Sequence, residues 1–156
     1  MTKQLNKKGT SLVELIAVIV IMGIIAGIAV PVTIAVINRQ KKNAAEKSAE
    51  AVISTIKNFT NEMLVKATGT FTITLAYPTA AADADNKPAT VTINYGTGSD
   101  VTWATPADFI VENLKATGSI QAVYTLATAT YAFTPTNFAV SGYTITVAAD
   151  GTCTAS

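Results

Sequence analysis

The stretch Lys7–Ile37, KKGTSLVELIAVIVIMGIIAGIAVPVTIAVI, decides the reading of this chain. From Leu15 to Ile37 it carries no charged residue. At about 1.5 Å per residue, a helix of that length crosses a hydrocarbon core of about 30 Å. A core helix of a soluble domain would show polar residues along one face. Here only Thr33 and the small residues Gly23, Ala26, Gly27 and Ala29 interrupt the run, so the sequence predicts a transmembrane helix. Met1 to Gly9, before it, is a short polar leader containing Lys3, Lys7 and Lys8. A secretory signal peptide is cut after its apolar region, beside small residues. The conspicuous glycine here, Gly9, precedes the apolar region, and a cut at that point would leave the helix attached.

After Ile37 the character changes to Asn38, Arg39, Gln40, Lys41 and Lys42. Ala45, Ala49, Val52, Ile53, Ile56, Phe59, Met63 and Leu64 then recur at spacings of three and four, which describe one apolar helical face. No Gly or Pro follows Pro31 until Gly69, so the amphipathic stretch continues the first helix and stops near Ala67. From Ser11 to Lys66 this makes one rod of about 84 Å at the standard rise. Beyond Gly69 the period becomes two. Phe71, Ile73, Leu75 and Tyr77 alternate with Thr, and Val91, Ile93 and Tyr95 repeat the scheme, as half-buried strands do. Pro78 to Ala89 reads as an exposed loop and Gly96 to Asp100 as a turn. Thr105, Pro106 and Asp108 predict a short helix, with Thr as its cap, that ends before Gly118. Further strands are expected over 122–127, 130–133 and 143–148, the last before an Asp150-Gly151 turn. The expected fold class is α+β: a long N-terminal helix, membrane-spanning in its first half and amphipathic in its second, packed on a small antiparallel β-sheet head. The expected division is a leader (1–9), an apolar helix (10–37), an amphipathic helix (38–67) and the head (68–156).

Composition narrows the function. Hydrophobic residues are 49% and charged residues 13% of the chain, a balance that suits a membrane or a neighbouring subunit better than dispersal in cytosol. The net charge of +1 hides an asymmetry: nine Lys or Arg face four Glu through Ala67, and two Lys face six acids thereafter. A mildly acidic head without clustered basic residues gives no support to direct nucleic-acid binding. The chain has no His and one cysteine, Cys153, which removes His-based and Cys/His catalytic pairs, zinc-type metal sites and any intrachain disulfide. We read Cys153 as a terminal spectator. Neither a catalytic residue nor a cofactor is expected. The carboxylates Asp83, Asp85, Asp100, Asp108, Glu112 and Asp150 are scattered, and solvated surface acids explain them.

The residues Lys7-Lys8-Gly9, then Ser11-Leu12-Val13-Glu14, and the apolar run to Pro31 resemble the prepilin signature of type IV pilins and pseudopilins. The resemblance covers about the first forty residues. It implies that a membrane prepilin peptidase cuts between Gly9 and Thr10 on the cytoplasmic side and that the new Thr10 amine is methylated. The family usually carries Phe or another large apolar residue at that first mature position, where this chain has Thr10. Glu14 becomes the fifth mature residue, the family's signature acid, and Gly23 and Pro31 fall where many members carry helix-loosening Gly and Pro. The resemblance further implies a homo-oligomeric helical filament, storage in the membrane before assembly, and two partners, a polytopic assembly platform and a cytoplasmic assembly ATPase.

Glu14 makes physical sense on its own terms as well. A carboxylate inside the end of a membrane helix costs up to about 2.5–3.5 kcal/mol at mid-membrane and less near the interface, so a partner is expected. In a filament that partner would be the Thr10 amine of an adjacent subunit, the pairing the resemblance implies. Gly23 and Gly27 form a G-x-x-x-G spacing that permits close helix approach in lipid. With Pro31, which costs a helix interior about 3 kcal/mol, they make 23–31 the softest span of the rod. Charge alone leaves orientation open, because Arg39, Lys41 and Lys42 oppose the three leader lysines. The resemblance places the leader inside and the head outside. Two rivals remain: a type II secretion or competence pseudopilin or minor pilin, and a secreted adhesin or binding module cut after Ala29.

Overall fold

The computed structural model describes residues 11–63, 69–79, 87–96 and 106–156. Its first element is one α-helix, α1, over Leu12–Met63. Six strands follow: β1 (Thr70–Ala76), β2 (Thr90–Asn94), β3 (Ala116–Thr125), β4 (Thr130–Val140), β5 (Tyr143–Val147) and β6 (Cys153–Ala155). They form an antiparallel sheet of order β2-β1-β3-β4-β5-β6, so the expected α+β arrangement is found. The chain divides into two compact units, one through Gln40 and one from Lys41 to Ser156.

In the second unit the helix lies on the sheet through the expected stripe. Ala45, Ala49, Val52, Ile53 and Ile56 are buried, and Phe59 and Met63 pack partly buried against the same core. One buried position was not expected. Thr60 occupies the stripe four residues after Ile56, and its hydroxyl donates to the Ile56 carbonyl at 2.8 Å, which satisfies the polar group where water cannot reach it. The sheet side is built by alternation. Phe71, Ile73 and Leu75 of β1 point inward beside Val91 and Ile93 of β2, while Thr70, Thr72 and Thr74 take the other face. Register aligns Ile73 with both Ile93 and Ala122, and Leu75 with both Val91 and Ile120, which makes the inner face continuous across three strands.

Two expectations are corrected. The short helix said to end before Gly118 is one 3-10 turn, Pro106–Phe109, and β3 already begins at Ala116 and runs through Gly118. The turn ends at Phe109, and Asn113 further on sits in the left-handed region at φ 59°. Phe109 and Leu114 are instead fixed by burial, with the Phe109 ring 5.0 Å from that of Phe59. The expected cap, Thr105, lies outside the described residues. The strand expected over 130–133 extends to Val140 because of a bulge. Between the pairs Thr117↔Ala139 and Ser119↔Thr136, β4 has one residue more than β3. Asn137 takes φ 49° there, and the inward parity of β4 passes from Tyr131, Phe133 and Pro135 to Phe138 and Val140. Gly118 is required opposite the bulge: it has φ 81°, and a Cβ would lie 2.1 Å from the Asn137 carbonyl oxygen.

The C-terminal segment is structural, and Cys153 is no spectator. It is buried in β6, paired with Val147 of β5. Two hydrogen bonds tie this end to α1: the Ala155 N–H donates to Glu46 Oε1 at 3.0 Å, and Lys57 Nζ donates to the Asp150 carbonyl at 2.6 Å. The expected Asp150-Gly151 turn is present, with Gly151 at φ 93° and Asp150 Oδ1 accepting from both the Thr152 N–H and hydroxyl. Burial, then the two carboxylates Glu50 and Glu46, push the Cys153 thiol up to about 11.

Candidate functional site

Of the residues singled out by the sequence, Glu14, Gly23, Gly27 and Pro31 lie on the first part of α1. Gly9 and Thr10 lie outside the described residues. Helix α1 begins at Leu12, making Ser11 its N-cap and Glu14 the third helical residue. The Ser11 N–H donates to Glu14 Oε2 at 3.0 Å, and the Leu15 N–H closes the first turn on the Ser11 carbonyl at 3.1 Å. Glu14 therefore serves the helix locally, beyond any pairing between subunits. It satisfies a backbone donor left free at the helix start, as the acid of a capping box does. The signal was present in the sequence as Ser11-x-x-Glu14, the S-x-x-E spacing of that motif. A carboxylate offers about four lone-pair sites, so one donor bond leaves Glu14 able to accept a cation as well.

From Leu12 to Ile37 every side chain is exposed, including large aliphatic ones such as Ile19, Met22, Ile25 and Ile28 at 60–66%. No face of this part of the helix is covered by the described residues. The segment is long enough and apolar enough to cross a membrane, which makes it consistent with a membrane anchor or a signal sequence.

Gly23, Gly27 and Pro31 lie inside the helix, which is continuous through all three. A Cβ at Gly23 or Gly27 would meet nothing within 4 Å, so no described residue makes use of their smallness. Gly27 differs from Gly23 in one respect. The residue four further on is Pro31, which has no N–H, so the Gly27 carbonyl lacks its usual helical donor. One helix turn thus carries a missing side chain and a carbonyl without its intrahelical bond. Two residues after the proline, the Thr33 hydroxyl donates to the Ala29 carbonyl at 2.8 Å.

Among the described residues no three His, Cys, Asp or Glu side chains gather as a metal site would require. Asp150 is occupied by the Thr152 turn, whose two hydrogen bonds hold its carboxyl below the usual value. Asp83, Asp85 and Asp100 lie outside the described residues. Comparisons with family models, with curated proteins and with solved structures find no match to this chain.

Proposed function

We propose that this chain is the precursor of a subunit of a type IV pilus or pilus-like filament. In this reading a prepilin peptidase removes the leader at Gly9-Thr10, and the subunit waits in the cytoplasmic membrane with its head outside. Its apolar helix then leaves lipid for a bundle of identical helices, with Glu14 accepting the Thr10 amine of a neighbour and the heads forming the surface of a cell-surface filament. The observation that supports it most is the helix Leu12–Met63, exposed on every face through Ile37 yet packed through one stripe against the sheet from Ala45 onward. A helix built this way lacks a partner for its first part among the described residues. Apolar lipid tails give helices little hydrophobic reason to associate, so packing at Gly23 and Gly27, the charge pair and external work by an assembly ATPase acting through a platform protein would drive the transfer.

The test is the mature N-terminus. Mass spectrometry of chain recovered from the cell envelope should find Thr10, free or methylated, at the first position, and deleting the gene should remove filaments seen by electron microscopy. A mature chain beginning at Val30 would instead establish the secreted adhesin or binding module, with the apolar segment discarded. Processing at Thr10 with no filament lost on deletion would favour a secretion or competence pseudopilin or a minor pilin.

A further inference from the structure

The second unit contains a groove of about 620 Å³ lined by Lys41, Ala44, Lys115, Thr117, Ser141 and Tyr143, with Gly142 at its edge. Its walls come from the start of the packed part of α1, the first residues of β3 and the β4–β5 hairpin. The hairpin turns on two residues with positive φ, Ser141 at 52° and Gly142 at 86°, which closes it tightly and brings Tyr143 directly opposite Val140. The Ser141 N–H donates to the Lys115 carbonyl at 2.8 Å, tying the turn to the second lysine, just ahead of β3.

The charge on this groove is one-sided. Lys41 and Lys115 both line it, no carboxylate does, and neither lysine belongs to an ion pair among the described residues. Two ammonium groups in one concavity with no carboxylate among its lining residues, beside the hydroxyls of Thr117, Ser141 and Tyr143, attract an anion. Position selects which anion. Lys41 stands four residues after Ile37, the last residue of the apolar run, a rise of about 6 Å along the helix. The headgroup layer outside a hydrocarbon core is about 5–8 Å thick, so a membrane seated on that run puts the Lys41 ammonium at phosphate depth. Tyr143, partly buried with a phenol at its tip, is the residue type enriched at the same level.

We infer that this groove binds the headgroup phosphate of an anionic phospholipid and seats the head on the membrane before assembly. The inference rests on the proposed retention of the apolar helix in a membrane. It also accounts for the lysine at position 41, which opposes the leader in the charge rule: on the head side it holds lipid phosphate.

The test uses the full chain reconstituted in vesicles of phosphatidylcholine alone or mixed with phosphatidylglycerol. A membrane-impermeant amine-acylating reagent is applied and read by mass spectrometry. Lys57, about 24 Å further along the helix than Lys41, is the internal reference. Acylation of Lys41 and Lys115 relative to Lys57 should slow about fivefold in the anionic vesicles, the factor expected for one lysine at an anionic surface. Millimolar inorganic phosphate over phosphatidylcholine should not reproduce it. In Lys115→Gln the protection of Lys41 should weaken, while Cys153 stays unreactive to a thiol reagent and so reports an intact head. Equal rates in the two vesicle types would overturn the inference, as would equal protection by inorganic phosphate, which marks a free-anion site. Protection seen only on filament assembly would give the groove to a neighbouring subunit and also overturn it. Flotation of the chain with both vesicles, with equal rates, defeats the groove and leaves the membrane reading standing. Failure to float with either defeats both.

Discussion

The two parts of α1 obey the same backbone geometry and answer to different surroundings. Through Ile37 the helix is apolar on every side and exposed on every side; from Ala45 it is apolar along one stripe, and that stripe is buried. Helix continuity and helix environment are thus separate properties. The helix runs from Leu12 to Met63, and among the described residues only its later part has a core to pack against.

The sharpest way to break this comparison is at Glu14, where the observed local role and the proposed role between subunits fall on one side chain. Gln at this helical position can still cap the Ser11 N–H, so Glu14→Gln keeps the helix start and removes only the charge. If the carboxylate meets a neighbour's amine in a dry filament core, stranding that amine costs about 3–5 kcal/mol per subunit contact. Filaments should then vanish from electron micrographs while circular dichroism of the monomer is unchanged. Normal filament yield from Glu14→Gln would reduce Glu14 to its capping role.

A matched pair of truncations measures the two environments next. Ile56 is fully buried, so Ile56→Ala should cost the head about 2–5 kcal/mol in denaturant unfolding. Ile24 is 60% exposed, and Ile24→Ala in the detergent-solubilised chain should leave that stability within about 0.5 kcal/mol. Equal effects would mean that the first part of the helix is buried by something within the chain.

Glycine gives a third contrast, of opposite sign in the two regions. Gly118→Ala drives a Cβ into the Asn137 carbonyl at positive φ and should cost the head about 1–3 kcal/mol, or abolish the bulge. Gly23→Ala meets nothing among the described residues and should gain about 1 kcal/mol of helix propensity, leaving head unfolding unaltered. Lower filament yield from Gly23→Ala despite the gain would mean that another helix uses the empty position.

How far the sequence revealed this molecule follows the same division. Periods of 3.6 and 2 were readable wherever burial alternates regularly, which is why the helix stripe and the inward residues of β1 and β2 were legible. They failed where backbone geometry resets the phase. The bulge at Asn137 moves β4 from odd to even inward positions, so Phe138 and Val140 do not continue the pattern of Tyr131 and Phe133, and half the strand was missed. Capping residues misled at Pro106, because the turn they begin closes at Phe109, and burial of Phe109 and Leu114 sets the path of the chain from there. Strand β6 is three residues long, too short for any period, and only its pairing with β5 places Cys153 and Ala155 in the core. At the candidate site, Glu14, Gly23, Gly27 and Pro31 were visible from the sequence because charge, missing side chains and a missing N–H are local properties. The hydrogen bond of Glu14 to Ser11 was encoded too, in a three-residue spacing overshadowed by the membrane cost of the same carboxylate.

The smallest expected effect concerns protons. In the head, burial raises the Cys153 thiol to about 11 and holds the Tyr77 and Tyr95 phenols above the ordinary tyrosine value. A raised folded-state pKa means that between the unfolded and folded values the native head keeps a proton which the unfolded chain has released. For Cys153 that stabilisation is complete below about 9, the ordinary thiol value, and is lost as pH rises through about 11. The apolar run from Leu15 to Ile37 contains no titratable side chain. Head melting followed by near-ultraviolet circular dichroism should therefore fall by a few degrees between about pH 9 and pH 11, while flotation of the chain with neutral vesicles stays constant. Cys153→Ala should start from a lower melting temperature at pH 8 and decline less steeply over that window. A decline in the variant as steep as in the parent chain would assign the alkaline loss to the tyrosines alone.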